Sequence, residues 1–209
     1  MRILCVENEP GAARPAEDRL RADGHEVARC FAGDRATCVG LDRPGACPLD
    51  DPDGVDVVLA VRAPGHQSPT AREVGVTCAL RRRIPLAVAG PVRPNPFARW
   101  TGAVADDTDH VAAACATAER RALAALGDEV TAALCRGLGP GCRPGVDLHT
   151  DVRRQADGLA VTVRRPASAA DRDGELVVRA HRALRDAGVV APRLSIACAD
   201  RAPTAGAGT

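Results

Sequence analysis

The chain opens with a run of apolar residues that leads directly into acidic ones. The apolar run spans residues 3–6, and Glu7, Asn8, Glu9 and Pro10 follow it. A short apolar run that ends in polar residues and is followed by a helix is typical of a buried strand in a parallel sheet. Ligands of such sheets bind beyond the carboxyl ends of the strands. We therefore expect Glu7, Asn8 and Glu9 to lie at the edge where function resides.

Apolar runs of similar length recur along the chain and alternate with segments of helical periodicity. The predicted order is a strand at 2–6, a helix at 10–22, a strand at 26–30, a strand at 55–61, a helix at 71–83, a strand at 84–89, a strand at 102–105 and a helix at 109–126. This alternation predicts an α/β domain over residues 1–126, with a doubly wound, parallel, five-stranded sheet. Residues 31–54, rich in glycine and proline, are expected to form a long loop.

The remaining residues predict a smaller domain of a different architecture. After a seam at residues 127–128, the pattern indicates a helix, two strands, a helix and a last strand. This order, αββαβ, predicts a small α+β domain over residues 128–200, followed by a loose tail at 201–209. The sheet of such a domain has to be covered by the preceding helix or by another subunit. A homodimer through the C-terminal domain is therefore one expected arrangement.

Composition and charge exclude several classes of partner. The 28 basic residues, all of them arginine, nearly balance the 27 acidic ones, and the net charge is +1. No overall field attracts nucleic acid or an anionic membrane, so both are unexpected partners. No segment approaches the roughly 20 apolar residues of a membrane span. We expect a cytoplasmic protein whose nine cysteines are reduced thiols rather than a disulfide framework.

Five segments of the first 120 or so residues resemble the receiver domains of bacterial response regulators, which have a CheY-like (flavodoxin-like) fold. The resemblance is carried by ILCVENEP (3–10), RADGHEV (21–27), VDVVLAVRAPG (55–65), RRIPLAVAG (82–90) and GAVADD (102–107). Their order and approximate spacing fit the family, whereas the insertion at 31–54 does not. The resemblance implies a signalling domain with a phosphorylation site at the carboxyl edge of its sheet.

Most of the residues that such a site requires are missing from this sequence. Glu7 can supply one of the two acids that bind Mg²⁺, but Asn8 replaces the other. The alignment places Ala60 at the position of the phosphoacceptor aspartate and Gly90 at that of the hydroxyl. Asp109 falls near the position of the family's lysine, and the chain has no lysine. We therefore expect a pseudo-receiver, a non-catalytic signalling or interaction protein without a cofactor.

A protein partner or small ligand is expected at the carboxyl edge of the sheet. The candidate residues for this surface are Glu7, Asn8, Glu9, Arg62, Arg93, Phe97, Trp100 and Asp107. Two structural interpretations stand beside this one. The acids at residues 7–9 can stabilise the N-terminus of the first helix. Phe97 and Trp100 can cap the core instead of facing a partner.

An enzyme is the first alternative interpretation of the same sequence. In it, Glu7, Glu9, His66 or Asp107 would act as acid–base groups at the carboxyl edge. The sequence has no P-loop and no Gly-x-Gly-x-x-Gly motif after the first strand, so it gives no support for nucleotide binding of these kinds.

A thiol-based sensor is the second alternative. Cys30, Cys38 and Cys47 lie in or beside the predicted long loop, but their spacing is wider than the close pairs of zinc sites. An exposed Cys47 could instead act in redox sensing. A weaker ligand set is Cys135, Cys142 and His149.

Overall fold

A computed structural model describes residues 1–31, 38–43, 45–51, 54–90, 95–155, 158–189, 191 and 193–201. Arg93 and residues 202–209 of the predicted tail lie outside the described residues. The chain divides into two compact units, Met1–Ala122 and Leu123–Thr209. Across the described ranges, no helix has the length and apolar character needed to cross a membrane.

The first unit is built on a parallel sheet. Its strands are β1 (Arg2–Glu7), β2 (Glu26–Arg29), β3 (Val57–Val61), β4 (Leu86–Ala89) and β5 (Thr101–Ala105). They are arranged in the order β2-β1-β3-β4-β5, and every neighbouring pair is parallel. This is the strand order of flavodoxin-like folds, and it confirms the predicted five-stranded α/β sheet.

Helices cover both faces of this sheet. They are α1 (Arg14–Ala22), the short α2 (Val39–Asp42), α3 (Val74–Arg81) and α4 (Val111–Leu138). Successive strand residues point to opposite faces, so Ile3 packs with Leu20 and Val111 on one side, whereas Leu4 packs with Val76 on the other. The apolar residues of β1 and β3 are therefore buried on both faces, which explains their uninterrupted apolar sequences.

The predicted long loop contains more structure than expected. Within 31–54, the described residues form α2 and a 3₁₀ turn at Pro48–Asp50, whose Leu49 is buried. An isolated antiparallel bridge joins Phe31 to Cys38. These turns are too short to show a helical repeat, and the glycine and proline residues around them indicated a loop. Residues 32–37, 44 and 52–53 lie outside the described residues.

Helix α4 is continuous through the predicted seam, so the expected helix end at 126 is wrong. Gly127 is the residue that suggested a break, because glycine disfavours a helix interior. Its role is instead one of packing. A Cβ atom built on Gly127 would overlap the backbone carbonyl oxygen of Thr150. The helix therefore keeps a glycine where a neighbouring strand approaches its backbone.

The second unit has a mixed three-stranded sheet. Its elements are β6 (His149–Gln155), β7 (Gly158–Arg165), α5 (Asp173–Asp186) and β8 (Leu194–Asp200). Strand β7 is central, antiparallel to β6 and parallel to β8. The apolar core of this unit contains Leu134 of α4 and Leu176 of α5, which pack with Val161 of β7. The preceding helix thus supplies cover, while a homodimer through this unit stays a prediction.

One disulfide corrects the expectation of uniformly reduced thiols. Cys135, in the last turn of α4, is bonded to Cys142, and their Cα atoms are 5.0 Å apart. Gly139, with φ of 107°, reverses the chain between them, which brings the two sulfurs together. The proposed ligand set of Cys135, Cys142 and His149 is therefore wrong, because disulfide sulfurs are not thiolate ligands.

Candidate functional site

The segment that follows β3 folds back onto the end of β1. We call residues 7–9, together with residues 62–73, the carboxyl edge. Asn8 connects the two segments and is only 3% exposed. Its side-chain Nδ2 donates to the carbonyl oxygen of Ala63 at 3.1 Å, while its Oδ1 accepts from the N–H of Ala63 at 2.8 Å. The Asn8 side chain thus continues the pairing of β1 with β3 beyond the strand ends.

A buried ion pair joins the two ends of the segment 62–73. Nη1 of Arg62 is 2.7 Å from Oε1 of Glu73, and the two side chains are 3% and 0% exposed. Nη2 of Arg62 also donates to the carbonyl oxygens of His66 and Ser68. The other carboxylate oxygen of Glu73 accepts from the N–H of Thr70 at 2.8 Å, which caps the turn before α3. Both charges are therefore met by several internal partners, as buried ions require.

Glu7 is held by a second ion pair at the same edge. Its Oε1 lies 2.7 Å from Nη2 of Arg72, and its Oε2 accepts from the N–H of Ala13 at 3.1 Å. The guanidinium of Arg72 also lies over the ring of Phe31, with 5.0 Å between its Cζ and the ring centroid. A cation at Glu7 would have to displace Arg72. The interpretation of Glu7 as an acid at the start of the first helix agrees with this contact to Ala13.

The position expected for a phosphoacceptor lies inside the core. Ala60 is 0% exposed and pairs with Val6 and Val88 on the neighbouring strands. Gly90, at the position expected for a hydroxyl, has φ of 114°. A Cβ built on Gly90 would overlap the carbonyl oxygen of Arg62. A serine or threonine side chain does not fit there, because the chain after β3 passes too close.

Glu9 and Asp107, two further candidate residues, are exposed but locally paired. Glu9 and His66 form a contact of 2.6 Å between Oε1 and Nε2. Asp107 accepts from the backbone N–H groups of Asp109 and His110 and caps the turn that leads into α4. Its Oδ1 is also 2.6 Å from Nδ1 of His110, and this hydrogen bond lowers the pKa of Asp107.

The two aromatic candidates have opposite environments. Phe97 is 5% exposed and belongs to the core cluster on the α3 side of the sheet, so it caps the core. Its ring also lies beneath the guanidinium of Arg62, with 5.6 Å between Cζ and the ring centroid. Trp100, the single tryptophan of the chain, is 52% exposed. Of these two aromatic residues, Trp100 has the exposure that a binding surface needs.

A cleft lies beside β5, and of its lining residues the sequence predicted only Asp107 as a candidate. It has a volume of about 470 Å³ and lies between β5, an edge strand, and the first turns of α4. Its polar lining includes Asp106, Asp107, His110, Thr117 and Arg121. Val104, which also lines it, is 50% exposed. The signal was the spacing of the α4 residues, which place one face of the helix along β5.

Three cysteines of the predicted sensor are brought close together by the fold. The sulfurs of Cys30 and Cys38 are 3.9 Å apart. Cys47 lies beside Gly40, since a Cβ built on that glycine would be 2.9 Å from the Cβ of Cys47. Within the part of the chain that the structure describes, no group of three or more His, Cys, Asp or Glu side chains is arranged to hold a metal ion.

Comparisons with known proteins identify no relative of this chain. The sequence matches no protein-family model and no curated protein, and the structure matches no solved structure. The functional argument therefore depends on the geometry of the carboxyl edge and of the cleft beside β5.

Proposed function

We propose that the first unit is a pseudo-receiver: a non-catalytic binding domain, part of a signalling or interaction protein, that works without phosphorylation. The observation that supports this most strongly is the burial of Ala60 among valines at the position of the phosphoacceptor. A methyl group cannot accept a phosphoryl group, and the site around it is apolar.

The other parts of a phosphotransfer site are also replaced by structural contacts. Transfer to a receiver needs free carboxylates for a hard cation and a hydroxyl near the acceptor. Here the carboxylate of Glu7 is bound by Arg72, and the buried Glu73 is bound by Arg62. Gly90 leaves no space for a hydroxyl-bearing side chain. The residues of this edge therefore make internal structural contacts instead of a phosphotransfer site.

The surface that we propose for a protein partner is the cleft beside β5, together with Trp100. Protein interfaces combine an apolar centre with a polar rim, and aromatic residues are enriched at their centres. Val104 and Trp100 provide exposed apolar area, while Asp106, Asp107 and Arg121 provide charges of both signs around it. Because β5 is an edge strand, an extended segment of a partner could also pair with it.

The chemical half of this proposal is tested with acetyl phosphate. The full chain is incubated with acetyl phosphate and Mg²⁺, and its intact mass is measured under conditions that preserve acyl phosphates. We expect no mass increase of one phosphoryl group and no change in melting temperature on adding Mg²⁺. An acyl phosphate located on any carboxylate of the first unit would contradict the proposal.

The binding half is tested with two matched charge substitutions. Ala113→Glu places a charge in the cleft, because Ala113 is an exposed residue of α4 that lines it, whereas Ala125→Glu places the same charge at an exposed position of α4 outside the cleft. Proteins retained by the wild-type chain from an extract of the source cells should be lost with Ala113→Glu and kept with Ala125→Glu. Equal retention by both variants would exclude the cleft as the partner surface.

A further inference from the structure

Two thiols of the first unit are held face to face by the backbone. Cys30 follows β2 directly, and Cys38 precedes α2. Their sulfurs are 3.9 Å apart, close to van der Waals contact. The bridge between Phe31 and Cys38 and the hydrogen bond from the N–H of Val39 to the carbonyl oxygen of Cys30, at 3.0 Å, fix the two segments side by side. To form a disulfide, the two sulfurs have to approach to about 2.05 Å.

The environments of the two sulfurs differ. Cys30 is 4% exposed and packs against Val6 of β1 and the backbone of Gly75 in α3. Burial, followed by the proximity of Cys38, raises the pKa of the Cys30 thiol to about 12. Cys38 is partly exposed. An oxidant from solution therefore meets Cys38 first, because reactive thiols are the accessible ones.

We propose that Cys30 and Cys38 form a reversible disulfide by exchange with a small disulfide such as oxidised glutathione. The Cys38 thiolate attacks one sulfur of the small disulfide and releases the other half as a thiolate, which leaves a mixed disulfide on Cys38. The Cys30 sulfur then attacks Cys38 Sγ and releases the second half. The two protons of the protein thiols pass to the two small thiolates, so one disulfide is consumed and one is formed.

This site is next to the braced carboxyl edge. Phe31 follows Cys30 in the chain, and its ring supports the guanidinium of Arg72, which binds Glu7. Closing the disulfide adds a covalent bond between Cys30, the neighbour of Phe31, and Cys38 at the start of α2. Oxidation therefore acts beside the element that supports the Glu7–Arg72 pair.

The neighbouring Cys47 provides a matched control. It is also partly exposed and lies in the same segment, beside Gly40. An unspecific oxidation of this segment would use Cys47 as readily as Cys38. The proposed pairing would not, because, of the two, the described residues join Cys38 to the Cys30 segment through a backbone bridge and a backbone hydrogen bond.

The test uses the full chain in mixtures of reduced and oxidised glutathione. After acid quenching, free thiols are alkylated, and the chain is cleaved with trypsin and with endoproteinase Asp-N, which separates Cys38 from Cys47 by cleaving before Asp42. Disulfide-linked peptides are then identified by mass spectrometry. We expect a Cys30–Cys38 link that increases with the oxidised fraction and reverses on reduction. It should be lost in Cys38→Ser and retained in Cys47→Ser.

Circular dichroism establishes that both serine variants are folded, and the same titration in concentrated urea provides the unfolded reference. In urea the preference for Cys38 over Cys47 should fall to the roughly threefold advantage that its shorter loop alone provides. Alkylation of both Cys30 and Cys38 at every glutathione ratio would overturn the proposal. So would a predominant link to Cys47, a mixed disulfide on Cys38 that Cys30 never resolves, or an equal preference in urea.

Discussion

The guanidinium of Arg62 and the carboxylate of Glu73 meet inside the carboxyl edge, at 2.7 Å, with both side chains almost fully removed from solvent. Arg62 is the residue after β3, and Glu73 is the last residue of the turn that leads into α3. The pair therefore fixes the course of residues 62–73 over the end of the sheet. The same course brings the carbonyl oxygen of Arg62 against Gly90, so one ion pair and one glycine together close this edge.

Removing one charge of this pair should destabilise the first unit strongly. Glu73→Gln leaves Arg62 buried without its counter-charge, which costs about 3–5 kcal/mol in the free energy of unfolding. Glu9→Gln is the control, because the exposed contact with His66 contributes at most about 1 kcal/mol. Both are measured by urea unfolding, monitored by Trp100, which reports on the first unit. Equal losses in the two variants would show that the buried ion pair contributes no more to the free energy of unfolding than the exposed contact does.

Asn8 should not tolerate the acid that a receiver would have there. In Asn8→Asp, the side chain still accepts from the N–H of Ala63 but faces its carbonyl oxygen without a donor. We expect a loss of about 1–3 kcal/mol in the free energy of unfolding. Asn95→Asp is the matched control, because Asn95 is partly exposed, so that water can replace the hydrogen bond that its Nδ2 donates to the hydroxyl of Thr101.

The same urea unfolding experiment compares the two aspartate variants. A loss in Asn8→Asp no larger than in Asn95→Asp would show that the contacts to Ala63 do not hold the edge. Calorimetric titration of Asn8→Asp with Mg²⁺ should also detect no binding, because Arg72 continues to occupy Glu7. Tight Mg²⁺ binding would show that one substitution restores a cation site.

The architecture of the first unit was predictable because its strands are buried on both faces. The apolar runs at β1, β3 and β4 have few other interpretations, and their alternation with helices leads to a parallel sheet. The contacts at the edge were not predictable in the same way. Arg62 and Arg72 are two of 28 cations that are all arginine, so nothing in the sequence distinguishes a buried brace from a solvated side chain.

Two further misses have the same physical origin, which is a tertiary contact that overrides a local preference. Gly127 has the propensity of a helix breaker, but α4 continues through it because Thr150 approaches its backbone. The expected compartment predicts reduced thiols at Cys135 and Cys142, but the turn after α4 brings their sulfurs together in a disulfide. Neither contact has a signature in the spacing of residues.

Gly127→Ala should destabilise the second unit, although alanine is the better helix former. The added methyl group overlaps the carbonyl oxygen of Thr150, and relieving that overlap costs about 1–3 kcal/mol in the free energy of unfolding. Gly174→Ala in α5 is the control, because a Cβ there has no atom within 4 Å. It should be neutral or stabilising by up to about 1 kcal/mol. Unfolding followed by circular dichroism distinguishes the two, and a gain in both variants would contradict the packing role of Gly127.

Asp151 should make the stability of the second unit depend on pH. Its hydrogen bond from Arg164, with Nε 2.6 Å from Oδ2, lowers the pKa of its carboxyl group, and His149 is a further neighbour at 3.2 Å. The unfolded chain therefore takes up a proton first as the pH falls. The contribution of Asp151 is complete above its ordinary pKa of about 3.9 and is lost as the pH falls through the lower folded value.

The comparison that isolates this contribution is Asp151→Asn against the wild type. At neutral pH the variant should be less stable by about 1 kcal/mol or less, as expected for a partly exposed pair. Once the pH falls below the lowered pKa of the folded Asp151 carboxyl group, the two proteins should converge, because the wild-type carboxyl group is then protonated as well. Urea midpoints across this range, followed by circular dichroism, provide the measurement. A difference that stays constant down to the lowest pH would mean that Asp151 stabilises the sheet through its shape and not through its charge.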